Sequence, residues 1–399
     1  MSSPKKSGVL FIIGPVVALL LAVAAERAEA VPAFARTYGM SCSACHTAWP
    51  ALNATGRMFK ENGYTMERGQ PKEELKITDE LTLPKTFPLA LVAKFRPYDK
   101  RKGGEEKLRA LHELEIFIAG SAFRYGSFFG ELELEDENDF EVETALGVVG
   151  FHPHPLFNLV LGKGSVFHAD PYDSLSNARR LTRSSKAPMA QGFPTKVALE
   201  DEHQMVGLYG RETAWKKLFY SLTYSADVND NEGEGPKDVS GRLAFDILPD
   251  LTIGGFFSTG SQGTTSGGVT RELDFDRVGI DVQARFGGLS LLGAYLQGKD
   301  DLFNGGDESN NAWYAEAFYT IGKDSLEPFR LPLFMVVPVV RVDWFEKNDG
   351  KDKYTDLTLN LGFYPLQNVK VFVEYLTSLD RPSGVKSDWR WTVQAAVAF

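Results

Sequence analysis

Cysteine is nearly absent from this chain: its 399 residues include two, Cys42 and Cys45, alongside six histidines. Two cysteines this close together cannot staple a disulfide-rich scaffold. No second Cys/His pair is spaced to complete a four-ligand zinc site. After residue 30 no apolar run reaches the ~20 residues that a membrane helix needs. Excess positive charge is also missing. The formal net charge of −10 argues against nucleic acid as a partner. No Ser-His-Asp set, phosphate loop or catalytic zinc motif stands out, so no catalytic side chain is assigned. Glycine (38 residues) and aromatics (12%) are abundant instead.

The two cysteines stand in Cys42-Ser43-Ala44-Cys45-His46. The C-x-x-C-H spacing lets two thiols add to the vinyl groups of one haem, with the adjacent histidine below the iron as proximal ligand. A small disulfide or half a zinc site would use the same pair. The flanking sequence, however, lacks the βαβ setting of a redox disulfide. One covalent haem c on Cys42, Cys45 and His46 is therefore expected. Asn53 is placed to cap a helix through Arg57, Met58 and Phe59, and Asn62-Gly63 to end it. Met40, Met58 and Met66 lie near the motif as candidate distal ligands, and Met58 on that helix is the one put forward, where a thioether would raise the reduction potential. Ordinary apolar packing of Met58 is the alternative.

Residues 1–30 read as a secretory signal: Lys5 and Lys6 precede an apolar run over 8–25, and Ala28-Glu29-Ala30 ends it. An uncleaved membrane anchor is the competing reading. Export agrees with the motif, because haem attachment of this kind takes place beyond the inner membrane. Residues 31–83 then form a short helical haem segment, and 84–399 alternate in polarity with period two.

Sixteen strands are expected, centred near Val92, Glu115, Leu132, Thr144, Leu159, Leu208, Leu222, Leu243, Phe256, Ile280, Ala294, Ala317, Val340, Leu359, Phe372 and Val393. Each is about ten residues long, the length of a tilted bilayer-crossing strand. Connections after odd-numbered strands are long and polar (99–107, 166–202, 227–235, 262–269, 300–311, 380–388). Those after even-numbered strands are tight (122–124, 153–154, 248–250, 286–288, 366–368), with 322–332 the exception. This layout predicts an all-β membrane protein: a 16-stranded antiparallel outer-membrane β-barrel behind the N-terminal haem segment, with outer-membrane lipid around it. Trp391, Val393, Ala395, Val397 and Phe399 share one face of the final strand, which ends in an aromatic residue.

Glu113, Glu115, Glu131, Glu133, Glu135, Glu141 and Glu143 alternate with apolar residues and should face the lumen. Glu113, Glu115, Glu131 and Glu133 form a candidate cation path. The alternative is a standard polar lumen in which these acids pair with Lys94, Arg96, Arg109, Lys163 and Arg242. The connection 166–202, carrying Arg179, Arg180 and Arg183, is long enough to fold inward and narrow the pore.

The run Pro32-Ala33-Phe34-Ala35-Arg36-Thr37-Tyr38-Gly39-Met40-Ser41, the haem motif, then Pro50, Leu52, Gly56-Arg57-Met58-Phe59-Lys60 and Asn62-Gly63-Tyr64 resembles the fused monohaem cytochrome–porins of the bacterial outer membrane. That family is best known from iron-oxidising bacteria. The specific likeness covers the mature N-terminus; over the barrel it is one of layout. The resemblance implies a haem held at the periplasmic mouth or lumen of a sixteen-stranded pore, taking electrons from extracellular Fe(II) to a periplasmic cytochrome or similar carrier. It carries over onto Cys42, Cys45 and His46. Two other functions suit the same residues: electron export to an outside acceptor, and a solute porin with a structural or regulatory haem.

Overall fold

The computed structural model describes residues 33–69, 74–80, 82–228, 230, 232–329 and 331–399. The signal over 1–30 lies outside the described residues, as does the side chain of Glu143. Sixteen long strands form the body. They are β1 Leu89–Arg101, β2 Glu106–Ala122, β3 Gly126–Glu135, β4 Val142–His154, β5 Phe157–Ser165, β6 Glu202–Arg211, β7 Leu218–Ala226 and β8 Lys237–Leu248. The second half comprises β9 Leu251–Ser266, β10 Val269–Phe286, β11 Leu289–Asp301, β12 Asp307–Tyr319, β13 Met335–Lys347, β14 Asp352–Leu366, β15 Val369–Asp380 and β16 Trp389–Ala398. Each pairs antiparallel with the next, and β16 returns to β1 with Val393 opposite Tyr98. The sheet is closed, and every expected strand centre falls in its own strand.

Closure follows from the solvent. Lipid offers no hydrogen bond to a free backbone amide, so a membrane sheet has to pair its two edges. The side chains then sort by face. On β10, Leu273, Phe275, Arg277, Asp281 and Gln283 point into the lumen and are buried, while Val278, Ile280 and Val282 are exposed. Exposed aromatics gather at the short-turn end, among them Phe123, Phe157, Trp215, Phe286, Tyr319 and Phe399. Such a girdle marks a membrane–water boundary. The apolar outer belt and the closed ladder make this an outer-membrane protein, its short turns on the periplasmic side.

The connections expected over 99–107 and 300–311 shorten to 102–105 and 302–306, and two others differ further. The polar stretch 262–269 is a tight hairpin, with β9 and β10 paired through Ser266–Val269 and Gly267 and Gly268 at φ +59° and +80°. Two adjacent residues at positive φ suit a hairpin turn whose twist matches its strands, and glycine adopts it without steric cost. The ladder simply continues beyond the lipid. The turn after β12 keeps its place in the strand count but is elaborated. Ile321–Gly322 pairs with β13, followed by the one-turn helix Lys323–Leu326.

The connection between β5 and β6 folds into the barrel, as its length suggested. Its Phe167, Leu175, Leu181 and Phe193 pack with Phe256, Leu292, Leu296, Tyr314 and Val337 of the wall in one buried cluster. Buried arginines pin it. Arg341 donates to Thr182 Oγ1 at 2.6 Å and to the Ser184 and Ser185 carbonyls at 2.8 and 3.0 Å, while its Nε meets Asp343 at 2.7 Å. Arg277 pairs with Asp300 at 2.7 Å and donates to the carbonyls of Gly192 and Val197. Arg242 forms an ion pair with Asp170 at 2.8 Å.

Arg341→Ala strips Asp343 of its partner and frees the loop, a loss of about 3–5 kcal/mol for a broken buried pair. Limited proteolysis in detergent should then cut between residues 166 and 201 while the barrel keeps its heat-shifted gel mobility. Unchanged resistance of the loop would show that the clamp is not what holds it.

Candidate functional site

The N-terminal segment builds its site on a short helix. Helix α1 spans Ala33–Tyr38 and α2 spans Ala54–Glu61. Asn53 caps α2, its Oδ1 accepting from Gly56 N at 3.0 Å, and Gly63 leaves the helix at φ +70°. Both are where the sequence places them. Cys42–Ala44 is a 3-10 turn, and His46–Ala48 pairs with Ala51–Leu52. Gly56 lets this motif sit directly on α2: a Cβ there would lie 2.2 Å from the Cys45 carbonyl oxygen.

Contacts from the periplasmic ends of the strands hold the segment in the lumen. Glu61 receives both Arg211 Nε and Nη2 at 2.7 Å, and Tyr364 donates to the Trp49 carbonyl at 2.9 Å. Ser43 N donates to Gln367 Oε1 at 3.1 Å in the turn after β14. The inward loop meets it too. Leu52 N donates to Asp173 Oδ2 at 3.1 Å, and Lys60 Nζ to the Asp170 carbonyl at 2.8 Å. Phe34 lies 4.9 Å from Phe59 and 5.3 Å from Tyr64, and Tyr64 reaches Phe129 on β3 at 6.0 Å between ring centroids.

Cys42 and Cys45 are unbonded, half-buried thiols, and burial pushes both above the ordinary thiol range. His46 sets Nδ1 3.1 Å from the Pro50 carbonyl, so Nδ1 is the donor and Nε2 keeps its lone pair. Burial lowers the imidazole's pKa and holds it neutral. A backbone-oriented imidazole with a free Nε2 is the form that binds a metal. All three residues line one cavity of about 930 Å³, within the roughly 300–1,000 Å³ of small-molecule sites. Two free thiols, a pre-oriented imidazole and an aromatic flank fit the donor set of a covalently held haem.

The cavity continues along the barrel wall. Glu113, Glu115, Glu131 and Glu133 line it, and it reaches Glu135 and Glu137 at the long-loop end of β3. Lys94 Nζ bonds Glu115 at 2.7 Å and also bonds Glu113. Carboxylate oxygens of Glu113, Glu115 and Glu133 lie within 4.8 Å of one another, a spacing at which they could share a cation. Three of the other four cations expected to pair with the row look elsewhere: Arg109 to Asp136 and Glu137, Arg242 to Asp170 and Asp281, and Arg96 to Gln394. Glu131 joins no ion pair among the described residues, and Glu141 is exposed.

Met58 is not part of this site. It is 42% exposed and lines none of the cavity. The reason is helical geometry: α2 buries Phe59, and Met58, one position before it and about 100° around the helix, points away. Met40, Met66 and His168 do line the cavity. His168 belongs to the inward loop, and no local sequence signal marks it. The aromatic flank had a signal in the helical spacing of Phe34 and Tyr38, whereas Tyr64 joins it from beyond the end of α2, at φ +62°.

Among solved structures the barrel is similar to an anion-selective porin from Comamonas acidovorans (14% identity, TM-score 0.53, 78% of this chain and 98% of that one). It is also similar to OmpF of Salmonella typhi in complex with daunomycin (14%, TM-score 0.56, 78% and 97%). In-vitro folded OmpT of Vibrio cholerae matches as well (12%, TM-score 0.53, 82% and 100%). At these identities the likeness is one of fold, that of bacterial outer-membrane porins. No protein-family model and no curated protein matches the chain.

Gly56→Ala should push α2 off the motif and weaken the docked segment by about 1–3 kcal/mol. Gly147→Ala, where a Cβ meets nothing within 4 Å, is the control. Faster proteolysis before residue 69 in the first variant alone is the expected result.

Proposed function

We propose that the chain carries one haem c on Cys42 and Cys45 with His46 as proximal iron ligand. In this reading it passes electrons across the outer membrane between an extracellular donor, Fe(II) by preference, and periplasmic carriers. The observation that carries it is the shared cavity, which puts both thiols and His46 at one end and an acidic row leading to the long-loop face at the other. Haem would supply one-electron chemistry. The side chains of this chain would enclose it, orient His46 and attract a cation. Carboxylates suit a hard divalent ion, and Glu113, Glu115, Glu131 and Glu133 are the candidate path. A donor oxidised within reach of the outer face would leave its insoluble product outside.

A solute porin is disfavoured by the packed half of the lumen, where the inward loop meets Phe256, Leu296 and Val337. Electron export through the same haem is the other direction of the same device.

Fe(II) added to outer membranes should reduce the haem, and Cys42→Ala with Cys45→Ala should abolish covalent attachment on a haem-stained gel. A Glu131→Gln, Glu133→Gln variant should slow reduction on the order of tenfold at low salt, with the difference shrinking as ionic strength rises. Haem that ignores Fe(II), together with porin-like conductance in planar bilayers, would establish the solute-channel reading instead.

A further inference from the structure

We propose that the imidazole of His168 is the second axial ligand of the iron, opposite His46. This rests on the reading that Cys42, Cys45 and His46 carry haem, and extends it to the inward loop.

An axial ligand has to face the haem cavity with a donor atom not already committed elsewhere. Five of the six histidines fail on one count or the other. His46 serves from the proximal side. His112 lines the cavity only at its long-loop end, grouped with Glu113 and Glu135 rather than with the cysteines, and holds Asp136 Oδ1 through Nδ1 at 2.8 Å. His152 uses both nitrogens, with Ser127 at 2.6 Å and Tyr209 at 2.9 Å. His154 accepts from Leu156 N at 3.2 Å, and His203 bonds the Ala226 carbonyl at 2.8 Å; neither lines the cavity.

His168 lines the cavity, and among the described residues neither of its ring nitrogens has a hydrogen bond. The side chain is half-buried at the cavity wall. Its ring lies 5.7 Å from Phe129, the residue that also meets Tyr64 of the haem segment.

The backbone around it is fixed rather than loose. His168 N bonds the Ser165 carbonyl at 2.8 Å and Asp170 N the Phe167 carbonyl at 2.9 Å. Asp170 in turn accepts from Lys60 on α2. The turn carrying His168 is therefore tied to the helix against which the haem motif sits. A ligand supplied by this loop would bind the two lumenal segments together through the metal.

The test uses the full-length protein in detergent, with spin state read by electron paramagnetic resonance and optical spectra. The native ferric protein should be low-spin with a bis-imidazole signature, and its ferrous form should not bind carbon monoxide. His168→Ala should become high-spin and bind carbon monoxide, and added imidazole should restore the low-spin form. His168→Met should stay low-spin with a thioether signature and a higher reduction potential. Heat-shifted gel mobility confirms that each variant has a folded barrel. Met40→Ala and Met66→Ala should leave the native spectrum unchanged.

A low-spin His168→Ala protein would overturn the assignment, as would a native thioether signature lost in Met40→Ala or Met66→Ala. Native protein without covalent haem would overturn the underlying reading itself, a failure distinguishable from a haem that is bound but differently ligated.

Discussion

A backbone amide in lipid has no water to turn to, and the rest of this molecule depends on that constraint. It compels β16 to find β1, and a closed sheet fixes which side chains face lipid and which face the interior. Interior positions are thereby released from the demand to be apolar. They hold Arg242, Arg277, Arg341, Asp281 and Glu316, charges that would be ruinous on the outer face. What remains open is how the interior is filled. In this chain two segments of its own do so, the N-terminal one from the periplasmic end and the 166–201 connection from the other.

Those two segments depend on each other. Residues 33–69 are too few to bury a sizeable core alone. Their order comes from the wall, through Arg211, Tyr364 and Gln367, and from the inward loop, through Asp170 and Asp173. The loop is itself held by arginines on β8, β10 and β13, so the position of the cysteine motif is set by the barrel several contacts away. The result is a lopsided lumen. One side is packed with apolar side chains; the other keeps a cavity along β1 to β3.

This explains what could be seen in the sequence. The strands were legible because alternation is imposed by lipid, residue by residue, and each of the sixteen centres carries that imprint. Asn53 and Gly63 were legible because capping is local chemistry. Where the ladder outruns the bilayer, as at Gly267-Gly268, lipid imposes nothing, and the polar stretch looked like a loop although it remains paired. Met58 lies off the cavity because the inward face of α2 is chosen by the surface it docks on, and Phe59 occupies it. His168 could not be found by proximity to the motif, since it arrives from a loop far along the chain.

The acidic row takes its meaning from the same geometry. In a plain polar lumen each carboxylate would have a cation across from it. Here Lys94 serves both Glu113 and Glu115, while Arg96, Arg109 and Arg242 are engaged by Gln394, Asp136 and Asp170. Glu131 and Glu133 have no ion pair among the described residues, on the wall that leads toward Cys42 and Cys45. Low-dielectric walls strengthen the field of such a row at a cation inside it. A single deep trap would hold its ion, whereas several moderate sites in sequence let one enter and leave. Lys94 acts against such a trap by partly neutralising the place where three carboxylates crowd together. The row is thus better suited to transit than to storage.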